Sequence, residues 1–185
     1  MHTDTRVRLD HLPTWGKKGL FNVVVEAPRG SRIKFKYDPK LRAVTWGHPL
    51  PVGFQYPFDW GFIPSTLGED GDPLDALVLS EVPSYPGVVI PCRPFGLIAL
   101  EERDGKNPER NDRLVVVPAK GGWTNEMKDT NDLPDGMRSN LEHFFLSSVY
   151  FSSKRARCLG WKGPKAALKH IATGVERAKK KQTPA

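Results

Sequence analysis

Seventeen prolines punctuate the 185-residue chain, and 15 of them lie at or before Pro134. Proline cannot donate to a helix ladder and clashes with the preceding turn, so long helices are excluded from that stretch. Glycines interrupt it as well, and between the breaks run short β-rich segments. Arg32-Ile-Lys-Phe-Lys-Tyr37 alternates strictly, which puts Ile33, Phe35 and Tyr37 on one face and Lys34 and Lys36 on the other. Further strands are predicted at Phe21–Glu26, Ala43–Trp46, Ala76–Leu79, Val88–Arg93, Phe95–Glu102, Arg113–Val117 and Ala156–Trp161. So many short strands joined by turns predict a closed or nearly closed barrel.

Helices are expected only in the last third. One is predicted to start near Asp132-Leu-Pro134, a capping residue with proline in the first turn, and to carry Met137, Leu141, Phe144 and Phe145 as its apolar stripe. The other follows Gly163-Pro164, with Leu168, Ile171, Val175 and Ala178 at 3–4 spacing. Both should pack on the barrel. The length fits one α+β domain over residues 1–185, with an N-terminal arm over 1–20 and a basic tail over 179–185.

The net charge of +7 is concentrated at one end. From Lys154 onward ten Lys or Arg face Glu176 alone, so that stretch carries +9 and the remainder −2. A basic tail can mark a nucleic-acid footprint, but here the cations occupy the wet face of an amphipathic helix, and no nucleic-acid partner is expected. No apolar stretch reaches bilayer length and the N-terminus shows no signal peptide. Cys92 and Cys158 read as two buried thiols of a cytoplasmic protein. The five histidines show no zinc-ligand spacing.

The slightly acidic body matters more. Glu69-Asp-Gly-Asp-Pro-Leu-Asp75 places Asp70, Asp72 and Asp75 on one short turn stiffened by Pro73 and bent at Gly71. Hard cations such as Mg2+ take oxygen ligands, and a few fixed carboxylates suit them. Asp, Gly and Pro are also ordinary turn residues. An EF-hand loop fails at Leu74 and Asp75, where a ligand and a glycine are needed. The metal-binding Asp-x-Asp of a nucleotide-sugar transferase lacks a Rossmann-like surround.

Asp70-Gly-Asp-Pro-Leu-Asp75 is similar to the signature of soluble family I inorganic pyrophosphatases. The resemblance runs from about Phe21 to Lys181. It includes Val24-Val-Glu26-Ala-Pro28, Ile33-Lys34-Phe35, Tyr56-Pro57, Cys92-Arg-Pro94, Leu114-Val-Val-Val-Pro118, Lys128-Asp-Thr-Asn-Asp-Leu-Pro134, His143-Phe-Phe145 and Gly160-Trp161, in the same order. It implies a five-stranded, OB-like barrel with two flanking helices, and a homo-oligomer, hexameric as is common in bacteria. The implied reaction is Mg2+-dependent hydrolysis of pyrophosphate by direct attack of water. Several metals would serve each site, and Mn2+ could substitute. On that pattern Asp70 and Asp75 are metal ligands, and Asp72 also faces the metals while orienting and deprotonating the water. Glu26 serves a further metal, and Lys34 and Tyr56 belong to the phosphate site.

Several positions depart from the family. Its acidic residue, spacer and lysine before the Leu114–Pro118 strand stand here as Asn111-Asp112-Arg113. Alternation puts Asn111 beside Arg113, whose guanidinium can grip phosphate, and turns Asp112 away. A one-residue bulge would bring Asp112 to the metals instead. Glu102 matches a further metal ligand, with Glu101 competing. Lys36 replaces an acidic residue, His48 an arginine, Trp60 a tyrosine, and Ser148-Val149 a Tyr-Lys pair, with Tyr150 or Lys154 as possible stand-ins. These changes keep two rivals in play: hydrolysis of another phosphoanhydride or phosphorylated metabolite, and a weakly catalytic paralogue that acts by binding.

Overall fold

The computed structural model describes residues 7–104, 107–148 and 155–182. In chain order the strands are β1 (Phe21–Ala27), β2 (Ile33–Asp38), β3 (Ala43–Pro49), β4 (Asp59–Phe62), β5 (Asp75–Val78), β6 (Val89–Asp104), β7 (Asn107–Arg110), β8 (Arg113–Pro118) and β9 (Arg155–Lys162). The helices are α1 (Asp135–Ser148), before β9, and α2 (Pro164–Gln182), after it.

β1 pairs with β4, β4 with β5, β5 with β8, β8 with β6, and β6 returns to β1. Five strands therefore close on themselves and leave no open edge within the ring. Only the β5–β8 contact is parallel among these pairings. β9 and β7 extend the sheet from the far half of β6, and β2–β3 form a separate hairpin. The ring passes so close to itself that any side chain at Gly61 would collide with the Val24 carbonyl.

Period-2 alternation sorts the wall into two apolar faces. Leu77, Ile98, Leu100, Val115 and Val117 pack together with Leu141 and Phe145 of α1. Ala76, Val78, Leu97, Ala99, Leu114 and Val116 pack with Ala167 and Ile171 of α2. The same parity assigns Asp75, Glu102, Asn111 and Arg113 to the α1 side, where they continue the rows of Leu77, Leu100 and Val115. The core pattern thus positions the polar site.

Four sequence expectations need correction. Val88–Arg93 and Phe95–Glu102 are one 16-residue strand, β6. Pro94 does not end it, because the register slips between Pro94 and Gly96 and the missing N–H falls in that irregularity. Gly96 is required there, since a Cβ would meet Thr130 and the Lys162 carbonyl. β4 and β7 were not anticipated: each has four residues, too short for alternation to show.

Asp132 does not open α1. It lies in a 3-10 turn, Thr130–Asp132, where its carboxylate accepts the Lys128 and Asp129 N–H groups at 2.7 and 2.9 Å. The helix starts at Asp135, and the Pro134 carbonyl accepts its first N–H donors. In α2 Ile171 is buried as expected, but the other buried residues are Ala167 and Gly174, each one position ahead of the expected Leu168 and Val175, and Leu168 is exposed. Small side chains at 167 and 174 let the helix lie close, with the Gly174 backbone against Leu74 and Thr66. Among the described residues no helix is long and apolar enough to cross a membrane.

Candidate active site

A cavity of about 710 Å³ opens between the barrel, the β2–β3 hairpin, the loop before β5 and the first turns of the chain. Its lining includes Glu26, Lys34, Tyr56, Asp70, Asp72, Asp75, Glu102, Asn111 and Arg113. Strands hold Glu26, Lys34, Asp75, Glu102 and Arg113; the loop holds Asp70 and Asp72, with Gly71 at φ 86° making its bend. The Asp72 N–H donates to Asp70 Oδ1 at 3.1 Å, and the Gly68 N–H to the Asp72 carbonyl at 2.7 Å, so the loop is internally braced.

Arg113 sits where β5, β6 and β8 meet. Its guanidinium donates to Asp75, to the Asn111 side-chain oxygen and, at 3.0 Å, to Glu102 Oε1. It also lies over the Trp60 ring, 5.5 Å from the centroid. Asn111 Nδ2 completes the group by donating to Glu102 at 3.0 Å. Burial pushes the Asp75 carboxyl up, and the Arg113 charge pulls it back. At the mouth Lys36 Nζ stands 2.8 Å from Asp72 Oδ2, a pair more than half exposed on both sides.

Asp112 must be withdrawn as a metal-facing residue. Its carboxylate accepts the Leu100 N–H at 3.1 Å and two bonds from Arg110, and it lies outside the main cavity. Strand alternation prevails over the bulge: the Asn111 N–H donates to the Leu100 carbonyl, and Arg113 pairs with Ile98 in register. Glu102 is buried in the cavity wall, whereas Glu101 pairs with Arg157 at 3.4 Å away from it. Val149, Tyr150 and Lys154 lie outside the described residues.

Further wall residues were not assigned to the site from sequence. Phe144 and Phe145 of α1 form one side, and Tyr56 stacks on Trp60 at 6.0 Å with Phe144 at 5.6 Å. Burial pushes the Tyr56 phenol up, which keeps it neutral. Arg8, Asp10 and His11 line another side. No residue pattern in the first turns foretold that.

Glu26 is almost fully buried, and its Oε1 accepts the Tyr37 N–H at 2.6 Å. Burial pushes its carboxyl from 4.5 up to about 7, against the Tyr37 bond and the charges of Lys36 and Lys34. The folded chain therefore binds this proton more tightly than the unfolded chain. Stability carried by the protonated form is present in full below pH 4.5 and lost as pH rises through about 7. The shift corresponds to about 3 kcal/mol. In chelator, Glu26→Gln should be the more stable protein at pH 8 by up to that amount and nearly equal at pH 4.5. Denaturant melts at the two pH values check this; a difference independent of pH would refute it.

The donors around the cavity are carboxylate and amide oxygens, a set suited to hard divalent cations. Among the described residues no three Asp, Glu, His or Cys side chains converge into a ready-made cage. The reason is visible: Asp75 and Glu102 are drawn to Arg113, and Asp72 to Lys36. The closed barrel thus carries an oxygen-rich cavity interleaved with guanidinium and ammonium groups.

The family model for inorganic pyrophosphatase matches residues 23–179. An inorganic pyrophosphatase of Thermus thermophilus is 39% identical over 161 residues, covering 85% of this chain and 90% of that one. One from Synechocystis is 39% identical over 160 residues, 86% and 92% of the two chains. The crystal structure of the Thermus thermophilus inorganic pyrophosphatase superposes with a TM-score of 0.86 at 38% identity, over 94% of this chain and 99% of that one. A Neisseria gonorrhoeae inorganic pyrophosphatase structure gives 0.82 at 33%, over 92% and 98%. The chain belongs to the inorganic pyrophosphatase family.

Proposed function

We propose that this protein hydrolyses inorganic pyrophosphate to two phosphates with Mg2+ as its cofactor. The observation that carries the reading is the meeting of Asp75, Glu102 and Asn111 around Arg113, beside Asp70 and Asp72, in one cavity of a pyrophosphatase-family chain. A divalent cation would be held by oxygens of Asp70, Asp72, Asp75, Glu26, Glu102 and Asn111. It would acidify a water and offset phosphate charge. Asp72, on the solvent side, takes the proton of the attacking water. Lys34 and Arg113 hold phosphate oxygens, Arg113 with two parallel N–H groups, and the neutral Tyr56 phenol can donate a further bond.

Several cations per site, Mn2+ as a substitute, a homo-hexamer and a cytoplasmic place complete the reading, supported by the family resemblance. The decisive assay is phosphate release from pyrophosphate, tripolyphosphate and ATP with Mg2+, Mn2+ or chelator. Pyrophosphate should be the preferred substrate, Mg2+ should suffice and chelator should abolish turnover. Release that persists in chelator, or a clear preference for ATP, would refute the proposal.

A further inference from the structure

We infer that the segment Leu9 to Thr14 is a clasp that presets the cation-binding loop, with Ser65 as its positioning residue. The inference rests on the proposed role of Asp70, Asp72, Asp75 and Glu26.

The loop between β4 and β5 leaves the barrel at Ile63 and is gripped at once by the N-terminal segment. The Ser65 N–H donates to the Asp10 carbonyl at 2.9 Å, Ser65 Oγ to the Leu12 carbonyl at 2.9 Å, and Thr14 Oγ1 to the Pro64 carbonyl at 2.7 Å. Ser65 holds φ 54°, a left-handed conformation that a side chain of this kind adopts only when its surroundings enforce it. The enforcing contacts are the two bonds from Ser65 to the segment. On the opposite side the Leu67 N–H donates to the Gly174 carbonyl of α2 at 2.9 Å. One residue after Ser65, Thr66 passes the constraint across the loop: its Oγ1 accepts the Leu74 N–H at 3.0 Å, next to Asp75.

A second arm of the clasp reaches Glu26. The Leu9 N–H donates to the Tyr37 hydroxyl at 3.2 Å, and the Tyr37 N–H donates to Glu26 Oε1 at 2.6 Å. One short segment therefore bonds to a neighbour of each group of proposed cation ligands, Ser65 before the loop and Tyr37 beside Glu26, and Asp10 and His11 place it in the cavity wall itself. Carboxylates crowded in a loop repel one another, and holding them in position before a cation arrives lowers the ordering cost of binding.

The test is calorimetric titration with Mg2+, run alongside pyrophosphate turnover, on Ser65→Ala, Ser65→Gly and Tyr37→Phe. Each removes one grip, and each should raise the Mg2+ dissociation constant by about three- to tenfold, the worth of one hydrogen bond. kcat at saturating Mg2+ should fall less than about twofold. Ile171→Val in the α2 core, which lowers stability without touching the clasp, should leave Mg2+ affinity unchanged. Ser65→Gly is the stringent case, because it relieves the backbone and removes only the hydroxyl. Should it bind Mg2+ as the parent does, or should Ile171→Val weaken binding equally, the clasp is overturned. Because affinity is read apart from turnover, an inactive parent would refute the proposed reaction, whereas an active parent with indifferent variants would refute the clasp.

Discussion

Asp72→Asn is expected to keep the fold and bind Mg2+ while lowering pyrophosphate turnover by about two to four decades, the range for removing a positioned general base. The structure makes this substitution clean. Asp72 is more than half exposed and contributes nothing to either apolar face. Its backbone holds the loop through the bonds to Asp70 and Gly68, and an amide side chain leaves those untouched. The lost ion pair to Lys36 is solvent-exposed and is worth at most about 1 kcal/mol. What disappears is the ability to accept a proton. Stability therefore predicts almost no effect and chemistry predicts a large one. Turnover at saturating Mg2+, with a denaturant melt of the same preparation, separates the two. Near-normal turnover would remove Asp72 as the base; a collapsed melt would show that the loop depends on its charge.

Strand parity could be seen in the sequence because it is a local property. Alternation across Arg113–Val117 predicts that Asn111 and Arg113 share a face and that Asp112 turns away, and the described strands have that arrangement. The acidic turn was equally legible, since Gly71 and Pro73 write its bend into the chain. What the sequence could not show depends on where separate strands meet. That Arg113 lies between Asp75 and Glu102 follows from the parallel β5–β8 contact and the antiparallel β6–β8 contact together. Neither leaves a signature in any one segment. The clasp was invisible for a different reason: its bonds to the β4–β5 loop end on carbonyl oxygens, which every residue possesses. Around the correctly placed Ile171, the buried positions of α2 were misplaced by one residue because Leu168 and Val175 outweigh Ala167 and Gly174 in hydrophobicity, while close approach to the barrel favours the small pair.

Arg113→Ala is expected to lower kcat/KM for pyrophosphate by about tenfold to over a hundredfold, and to destabilise the metal-free protein as well. The rate effect follows from losing a charge-assisted contact worth about 1.5–3 kcal/mol as negative charge develops on the departing phosphate. The stability effect follows from what the guanidinium leaves behind. Glu102 is buried and Asp75 partly buried, and burial already pushes the Asp75 carboxyl up. Removing one partner of a buried ion pair costs about 3–5 kcal/mol, because the remaining charge is stranded. The two consequences respond oppositely to Mg2+. A divalent cation can neutralise the stranded carboxylates, so the melting difference between parent and variant should shrink as Mg2+ is added. It cannot restore the guanidinium fork, so the rate should remain low. Arg113→Lys refines the comparison: one charge is kept, but the bidentate geometry and the stacking on Trp60 are lost. Melts with and without Mg2+, set beside kcat/KM for all three proteins, read both effects. Full activity in Arg113→Ala would show that phosphate is held by other cations, with Lys34 the first to examine. An inactive variant that stays equally unstable at every Mg2+ concentration would mean that Arg113 serves the fold alone.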